Sequence, residues 1–259
     1  MKTFFPLTFL LPLLFLTACP DGSDPELEIP QTAENLTIEI NDGGGMLPIW
    51  YEIYISKDSA YWSYFRYEYE TNIRWIPTQK EIDQLYEVLK KNEFNKIRSD
   101  CENQVYDRGG RSLHISVGNN NYSIDNSGNC FISEQWLDHY TNINQAINEY
   151  YSGKIDEQLV TIPVQVSKGL IDLGYSIKIR INEKGDFFNA TADTMQQEFT
   201  LYPGYNKFIV QLFYKDSISD NGQLIQYMYE QYFKEVSDST SKILIDWKDD
   251  NLNVTPVKD

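Results

Sequence analysis

A change of hydrophobic period between residues 60 and 89 constrains the fold more than any other feature of the chain. In AYWSYFRYEYE (60–70) bulky side chains occupy both parities of the run, and an extended strand sorts such a run onto two faces. Tyr61, Phe65, Tyr67 and Tyr69 share one face; Trp62, Tyr64, Arg66, Glu68 and Glu70 share the other. The first set predicts a buried, apolar face and the second a mixed face turned outward. Then Thr78-Gln79-Lys80-Glu81 has the form of a capping box, and Ile82, Leu85, Tyr86 and Leu89 follow at helical spacing. Lys80, Asp83, Glu87, Lys90 and Lys91 fall off that stripe, so the predicted helix lies on a sheet and keeps one side wet.

The alternation of periods continues along the chain. FNKIRS (94–99), RSLHISV (111–117) and NYSID (121–125) read as strands, separated by Gly109-Gly110 and by Gly118-Asn119-Asn120. Ser133 reads as the N-cap of a second helix with a stripe of Trp136, Tyr140, Ile143, Ile147 and Tyr150, ended by Gly153. These elements predict an α+β two-layer domain over residues 35–153. Beyond Gly153 the helical period disappears. Strands are predicted at 159–166, 175–181, 197–203, 207–215, 224–233 and 242–247. Turn signals separate them at Lys168-Gly169, Glu183-Lys184-Gly185, Pro203-Gly204 and Asp220-Asn221-Gly222. Short strands so punctuated predict an all-β sandwich domain over 158–250. Leu201-Tyr202-Pro203-Gly204-Tyr205-Asn206, running into an alternating strand, resembles the leucine–x–proline–glycine–x–asparagine corner of bacterial Ig-like domains. The resemblance implies an Ig-like sandwich and transfers no function.

The N-terminus addresses compartment rather than fold. Lys2 is followed by an apolar run from Phe4 to Leu16, broken by Pro6, Thr8 and Pro12 and too short to span a bilayer, so residues 1–18 read as a signal peptide. Leu16-Thr17-Ala18-Cys19 resembles the lipobox of bacterial lipoproteins. That resemblance implies cleavage before Cys19, acylation of its thiol with fatty chains such as palmitate, and anchoring in the cell envelope, with the outer membrane as the expected layer. Several acyl chains anchor stably where a single one binds only marginally. Residues 19–34 then form a lipidated, acidic tether. Asp21, Asp24, Glu26, Glu28 and Glu34 are uncompensated by lysine or arginine, and Pro20, Pro25 and Pro30 stiffen it. Pro20-Asp21-Gly22-Ser23-Asp24 also resembles surface-export signals of some Gram-negative lipoproteins, and a plain solvated linker is the other reading.

Composition removes whole classes of function. A formal net charge of −16 leaves no sequence-independent grip on nucleic acid phosphates. Nineteen tyrosines within a 14% aromatic fraction exclude a disordered polyanion. With Cys19 assigned to lipid, Cys101 and Cys130 remain in an oxidising compartment; one disulfide is expected, two buried thiols being the alternative.

Signals for catalysis are sparse. His114 and His139 are the only imidazoles, and both read as structural or surface residues. The chain carries no GxSxG elbow, HExxH, phosphate-binding loop or CxxC pattern, so no catalytic residue, metal ligand or cofactor is assigned. Asp125-Asn126-Ser127-Gly128-Asn129 offers oxygen ligands but reads better as a hairpin turn than as a calcium loop. Trp62, Tyr64 and Arg66 are the candidate binding residues, offering apolar area with polar tips to a glycan or a protein partner; cross-strand pairing beneath a helix is the structural alternative. The expected role is non-catalytic binding or structure in a membrane-anchored lipoprotein. An envelope hydrolase of glycans or peptides, and an accessory or inhibitor subunit of an envelope complex, are the alternatives. Replacing Cys19 by serine is expected to abolish the acyl mass on the mature protein and its sedimentation with membranes, read by intact-mass analysis and fractionation.

Overall fold

A computed structural model describes residues 29–44, 49–104, 107–182, 184–218 and 224–258. Residues 1–28, on which the expected signal peptide, Cys19 and most of the expected tether fall, lie outside the described residues. The fold is mostly β, with several sheets. Among the described residues no helix is long and apolar enough to cross a membrane.

The first sheet has six antiparallel strands in the order β4-β3-β2-β1-β6-β7. They are β1 (Thr37–Gly43), β2 (Ile49–Ser56), β3 (Ala60–Arg66), β4 (Tyr69–Trp75), β6 (Gly110–Val117) and β7 (Asn120–Asn126). Their register aligns Ile73, Trp62, Ile53, Ile40, Leu113 and Ile124 in one row across the sheet. Helices α1 (Gln79–Lys91) and α2 (Leu137–Asp156) bury that row, contributing Ile82, Leu85, Tyr86, Leu89, Tyr140, Ile143 and Ile147 to the same core. Thr78 closes the capping box of α1: its hydroxyl accepts from the Glu81 amide, and the Glu81 carboxylate accepts from the Thr78 amide at 2.7 Å.

Several local expectations are corrected. Residues 60–70 are not one strand but a hairpin, with Arg66 opposite Tyr69 and Tyr67 in the left-handed region at φ 56°. The run lacks the Asn-Gly signal such a turn usually carries, so its alternation reads as continuous. The faces are also exchanged. Trp62 lies in the isoleucine row beneath the helices, whereas Tyr61 and Phe65 point to the uncovered side. Residues 94–99 begin as a 3-10 turn (Phe94–Lys96) before the short β5 (Ser99–Cys101). Ser133 does not cap a helix amide; its hydroxyl donates to Asp100 Oδ2 at 2.7 Å and lies 3.2 Å from the Arg98 carbonyl. α2 continues through Gly153 to Asp156, because Lys154 pairs with Glu81 at 2.9 Å and Ile155 is buried, which together offset a helical glycine's cost of about 1 kcal/mol.

β5 pairs with β8 (Cys130–Ile132) and places Cys101 opposite Cys130. The two are joined in a disulfide, 29 residues apart in sequence. Closing a loop of that size contributes roughly 3–4 kcal/mol through the unfolded state.

The C-terminal strands form two four-stranded sheets around one core. One sheet has the order β11-β10-β13-β14, from β10 (Tyr175–Ile181), β11 (Lys184–Ala190), β13 (Gly204–Ile218) and β14 (Leu224–Val236). The other has the order β12-β9-β15-β16, from β9 (Val160–Val166), β12 (Gln196–Leu201), β15 (Thr240–Lys248) and β16 (Asn251–Lys258). Ile177, Ile179 and Val210 from one face meet Val164, Val166, Ile243 and Ile245 from the other. Past the boundary expected at 250 the chain continues as β16, which pairs along β15 and buries Leu252 and Val254. Lys168-Gly169 is not a turn but the start of α3 (Lys168–Asp172), whose Leu170 amide donates to the Ser167 hydroxyl at 3.3 Å.

Residues 29–34, expected as the end of an acidic tether, are held against the folded body. Ile29 and Ala33 pack against the first core, and the Tyr86 hydroxyl donates to the Pro30 carbonyl. Farther on, the Gly118 amide donates to the Glu34 carbonyl at 2.8 Å. The carboxylates that precede this stretch, Asp21, Asp24, Glu26 and Glu28, mask these few apolar contacts in a charge-based view. Burial pushes the Tyr86 phenol up to about 12. The folded state therefore favours the neutral phenol, a stabilisation present below pH 10 and lost as pH rises through about 12. In urea unfolding between pH 10 and 12, Tyr86→Phe is expected to flatten the decline in stability by about one proton, roughly 1.4 kcal/mol per pH unit.

Candidate functional site

One row beyond the isoleucine row, the inner face of the first sheet changes character. Thr71, Tyr64, Tyr51, Asp42, Arg111 and Asn126 lie side by side across β4, β3, β2, β1, β6 and β7. Tyr64 stacks on Tyr51 at 6.0 Å and on Trp62 at 5.9 Å, forming a continuous aromatic wall. The last turns of α2 bring Tyr151, Ser152 and Asp156 over it. The C-terminal strands supply the opposite wall, and a cleft of about 390 Å³ remains between them.

That opposite wall is built by the Leu201–Asn206 corner. Asn206 is buried, with its amide group donating to the Tyr202 and Gly204 carbonyls at 2.8 and 3.0 Å. Its side-chain oxygen accepts from the Tyr202 amide at 3.1 Å and from the Asn182 side chain at 2.8 Å. So braced, the corner pushes Tyr202 against Trp62 (5.5 Å) and Tyr205 against Tyr69 (5.2 Å). Thr71 Oγ1 donates to the Tyr205 carbonyl at 2.8 Å. Gly204, at φ 109°, lets the backbone come so close that an added Cβ would sit 3.3 Å from the Thr71 methyl. Phe233 of β14 completes the seam, stacked on Tyr69 at 4.4 Å and lying under the Arg66 guanidinium at 5.9 Å.

The charges of the cleft are ordered by hydrogen bonds. Arg111 reaches Asp42 Oδ2 through Nε (2.8 Å) and a terminal nitrogen (2.7 Å), and its other terminal nitrogen donates to Asn144 and Asn148 of α2. The guanidinium is thereby fixed in a fork that ties β1, β6 and α2 together. Burial, with the Asp42 carboxylate second, pushes the Tyr51 phenol up, so Tyr51 offers a hydroxyl rather than a phenolate across the physiological range. Lys207 also lines the cleft and is buried.

Trp62, Tyr64 and Arg66 therefore come together, but not on an open mixed face. Trp62 is only 7% exposed and belongs to the core; Tyr64 and Arg66 are half-buried and line the cleft. Tyr51, Tyr151, Tyr205 and Phe233 join them from distant parts of the sequence, and only the 201–206 motif signalled any of these. The histidines lie elsewhere. His114 sits on the uncovered face between Glu39 and Ser123, and His139 Nδ1 meets the Asn92 carbonyl at 3.1 Å. In the 125–129 loop, Arg108 Nε donates to the Gly128 carbonyl at 3.1 Å and its terminal nitrogen to Asn126 Oδ1 at 3.3 Å, while Asp125 Oδ1 accepts from the Ser127 hydroxyl at 2.5 Å. Among the described residues no group of His, Cys, Asp and Glu has a geometry that could hold a metal.

Comparison with protein families, with curated proteins and with solved structures finds no match to this chain. Because Trp62 anchors both the core row and the seam, Trp62→Ala is expected to cost about 3–5 kcal/mol in chemical denaturation, a folding defect rather than a selective binding defect.

Proposed function

We propose that the protein is an envelope lipoprotein, anchored through Cys19, whose role is non-catalytic binding in the cleft. In this reading an α+β module (35–153, with residues from Ile29 packed on it) carries an Ig-like module (from 158, extended to 258), and their junction receives the ligand. The observation that carries the reading is the aromatic lining: Tyr51, Tyr64, Tyr151 and Tyr205 converge on one cavity together with Arg66, Asp156 and Asn182. Junctions between packed units are favoured places for ligand cavities, and aromatic walls with a few polar groups suit a flat ring with a polar edge. A sugar ring of a glycan, or an aromatic side chain of a peptide, has that chemistry.

Placement along the sheet supports the same role. β1 starts at Thr37, beside the Gly118 turn where residues 30–34 are held, and reaches the cleft at Asp42. Five residues of strand separate the two ends, about 17 Å at the usual rise. From Cys19 to Ile29 the extended chain reaches about 35 Å at most. The cleft thus sits at the end of the sheet away from the proposed anchor, and a short tether suffices to hold it clear of the bilayer.

The test uses full-length protein in detergent, titrated calorimetrically against envelope glycan fragments and aromatic peptides. A ligand is expected whose affinity falls at least about tenfold, or 1.4 kcal/mol, in Tyr64→Ala and Tyr151→Ala, with far-ultraviolet circular dichroism unchanged. Binding indifferent to both substitutions would remove the cleft from consideration, and turnover of the bound ligand would establish the hydrolase reading instead.

A further inference from the structure

The uncovered face of the first sheet carries a second, chemically different groove. The hairpin that turns Trp62 and Tyr64 inward turns Tyr61 and Phe65 outward. Across this face the register aligns Glu39, Tyr54, Tyr61 and Arg74 in one row, and Asn41, Glu52, Ser63 and Asn72 in the next. Tyr54 stacks on Tyr61 at 5.6 Å. An open groove of about 720 Å³ runs over this pair, with Asp58 at one end and the 76% exposed Ile76 on its rim.

Its charge is lopsided. Glu39, Glu52 and Asp58 line it, and among the described residues no lysine or arginine pairs with any of them. Among the described residues Arg74 is its one lining cation, and that guanidinium already lies over the Tyr61 ring at 5.9 Å while donating to Asn72 at 2.7 Å. Burial, then Glu52 and Glu39, push the Tyr61 phenol up, which keeps a neutral ring beside the carboxylates. The carboxylates are spread along the groove and form no metal-holding group among the described residues. An extended organic cation therefore suits the groove better than a metal ion.

We infer that this groove docks a basic segment of a partner protein, whose lysine or arginine side chains lie on the Tyr54–Tyr61 pair and meet Glu39, Glu52 and Asp58. Ring faces attract cations, arginine most often, and the Arg74–Tyr61 contact is an internal instance of that mode. Charge complementarity supplies the rest: the groove is acidic on a chain of net charge −16, so the complementary partner is basic. The inference is independent of what occupies the cleft.

The probe is a labelled octa-arginine peptide, followed by fluorescence anisotropy with full-length protein in detergent at low and at physiological salt. Glu39→Gln with Glu52→Gln is expected to weaken binding by at least about tenfold, and Tyr54→Ala with Tyr61→Ala by a similar factor. Glu149→Gln with Glu198→Gln changes net charge equally on other surfaces and is expected to leave affinity within about twofold, as is Tyr64→Ala in the cleft. Equal weakening by the control pair would show attraction to net charge alone and overturn the inference. So would absence of binding, or equal binding of a neutral peptide of the same length.

Discussion

A two-residue hairpin decides what each surface of this protein offers. Arg66 faces Tyr69 across the turn, so Trp62, Tyr64 and Arg66 share a face with Tyr69, Thr71 and Ile73, and Tyr61 and Phe65 take the other. Side-chain period in a strand is two, so a slip of one residue would exchange every one of these positions. The register is held because Trp62 continues the row begun by Ile40 and Ile53, and that row is the one the helices bury. Tyr67 takes a left-handed backbone to make the turn, at about 1 kcal/mol for a residue with a Cβ. Its ring meets Phe233 edge-on at 6.4 Å, so the turn is also part of the seam.

Asn206 performs the complementary task on the C-terminal side. Its buried amide spends both donor and acceptor capacity on the backbone and on Asn182, converting a proline–glycine corner into a rigid projection. A buried amide left unsatisfied would cost a few kcal/mol, so this geometry is strongly determined. The projection then needs glycine at 204, where the chain approaches Thr71. A motif that reads in sequence as a local corner is in space the contact that closes the cleft.

Local signals were legible wherever neighbours in sequence decide the outcome. The capping box at Thr78–Glu81 and its stripe gave α1, and alternation gave β6, β9 and β10 within a residue or two. Strand pairing gave no comparable local signal. Which face of residues 60–66 is buried depends on Ile53, and which residues meet Tyr64 depends on α2 and on the 201–206 corner. Composition misled at residues 29–34, where Ile29 and Ala33 pack despite the surrounding carboxylates, and at Gly153, where Lys154 and Ile155 hold the helix past a residue that usually ends one. The cleft was thus half readable: its aromatic supply was visible, its assembly was not.

Under the membrane anchoring proposed above, the two surfaces bear differently on how the molecule would stand relative to the lipid. The groove of Glu39, Glu52 and Asp58 is repelled by an anionic leaflet, as is the acidic stretch that follows Cys19. That repulsion fades beyond about 8–10 Å at physiological salt. Under the proposed anchoring through Cys19, the end of the sheet that holds residues 30–34 is the one nearer the membrane, and the cleft lies at the other end. Because groove and cleft lie on opposite faces of the β3–β4 hairpin, a basic partner on one does not cover the other. Any coupling between them would have to pass through that hairpin, where Trp62 and Tyr61 are chain neighbours on opposite faces and the Thr71–Tyr205 hydrogen bond ties the sheet to the corner.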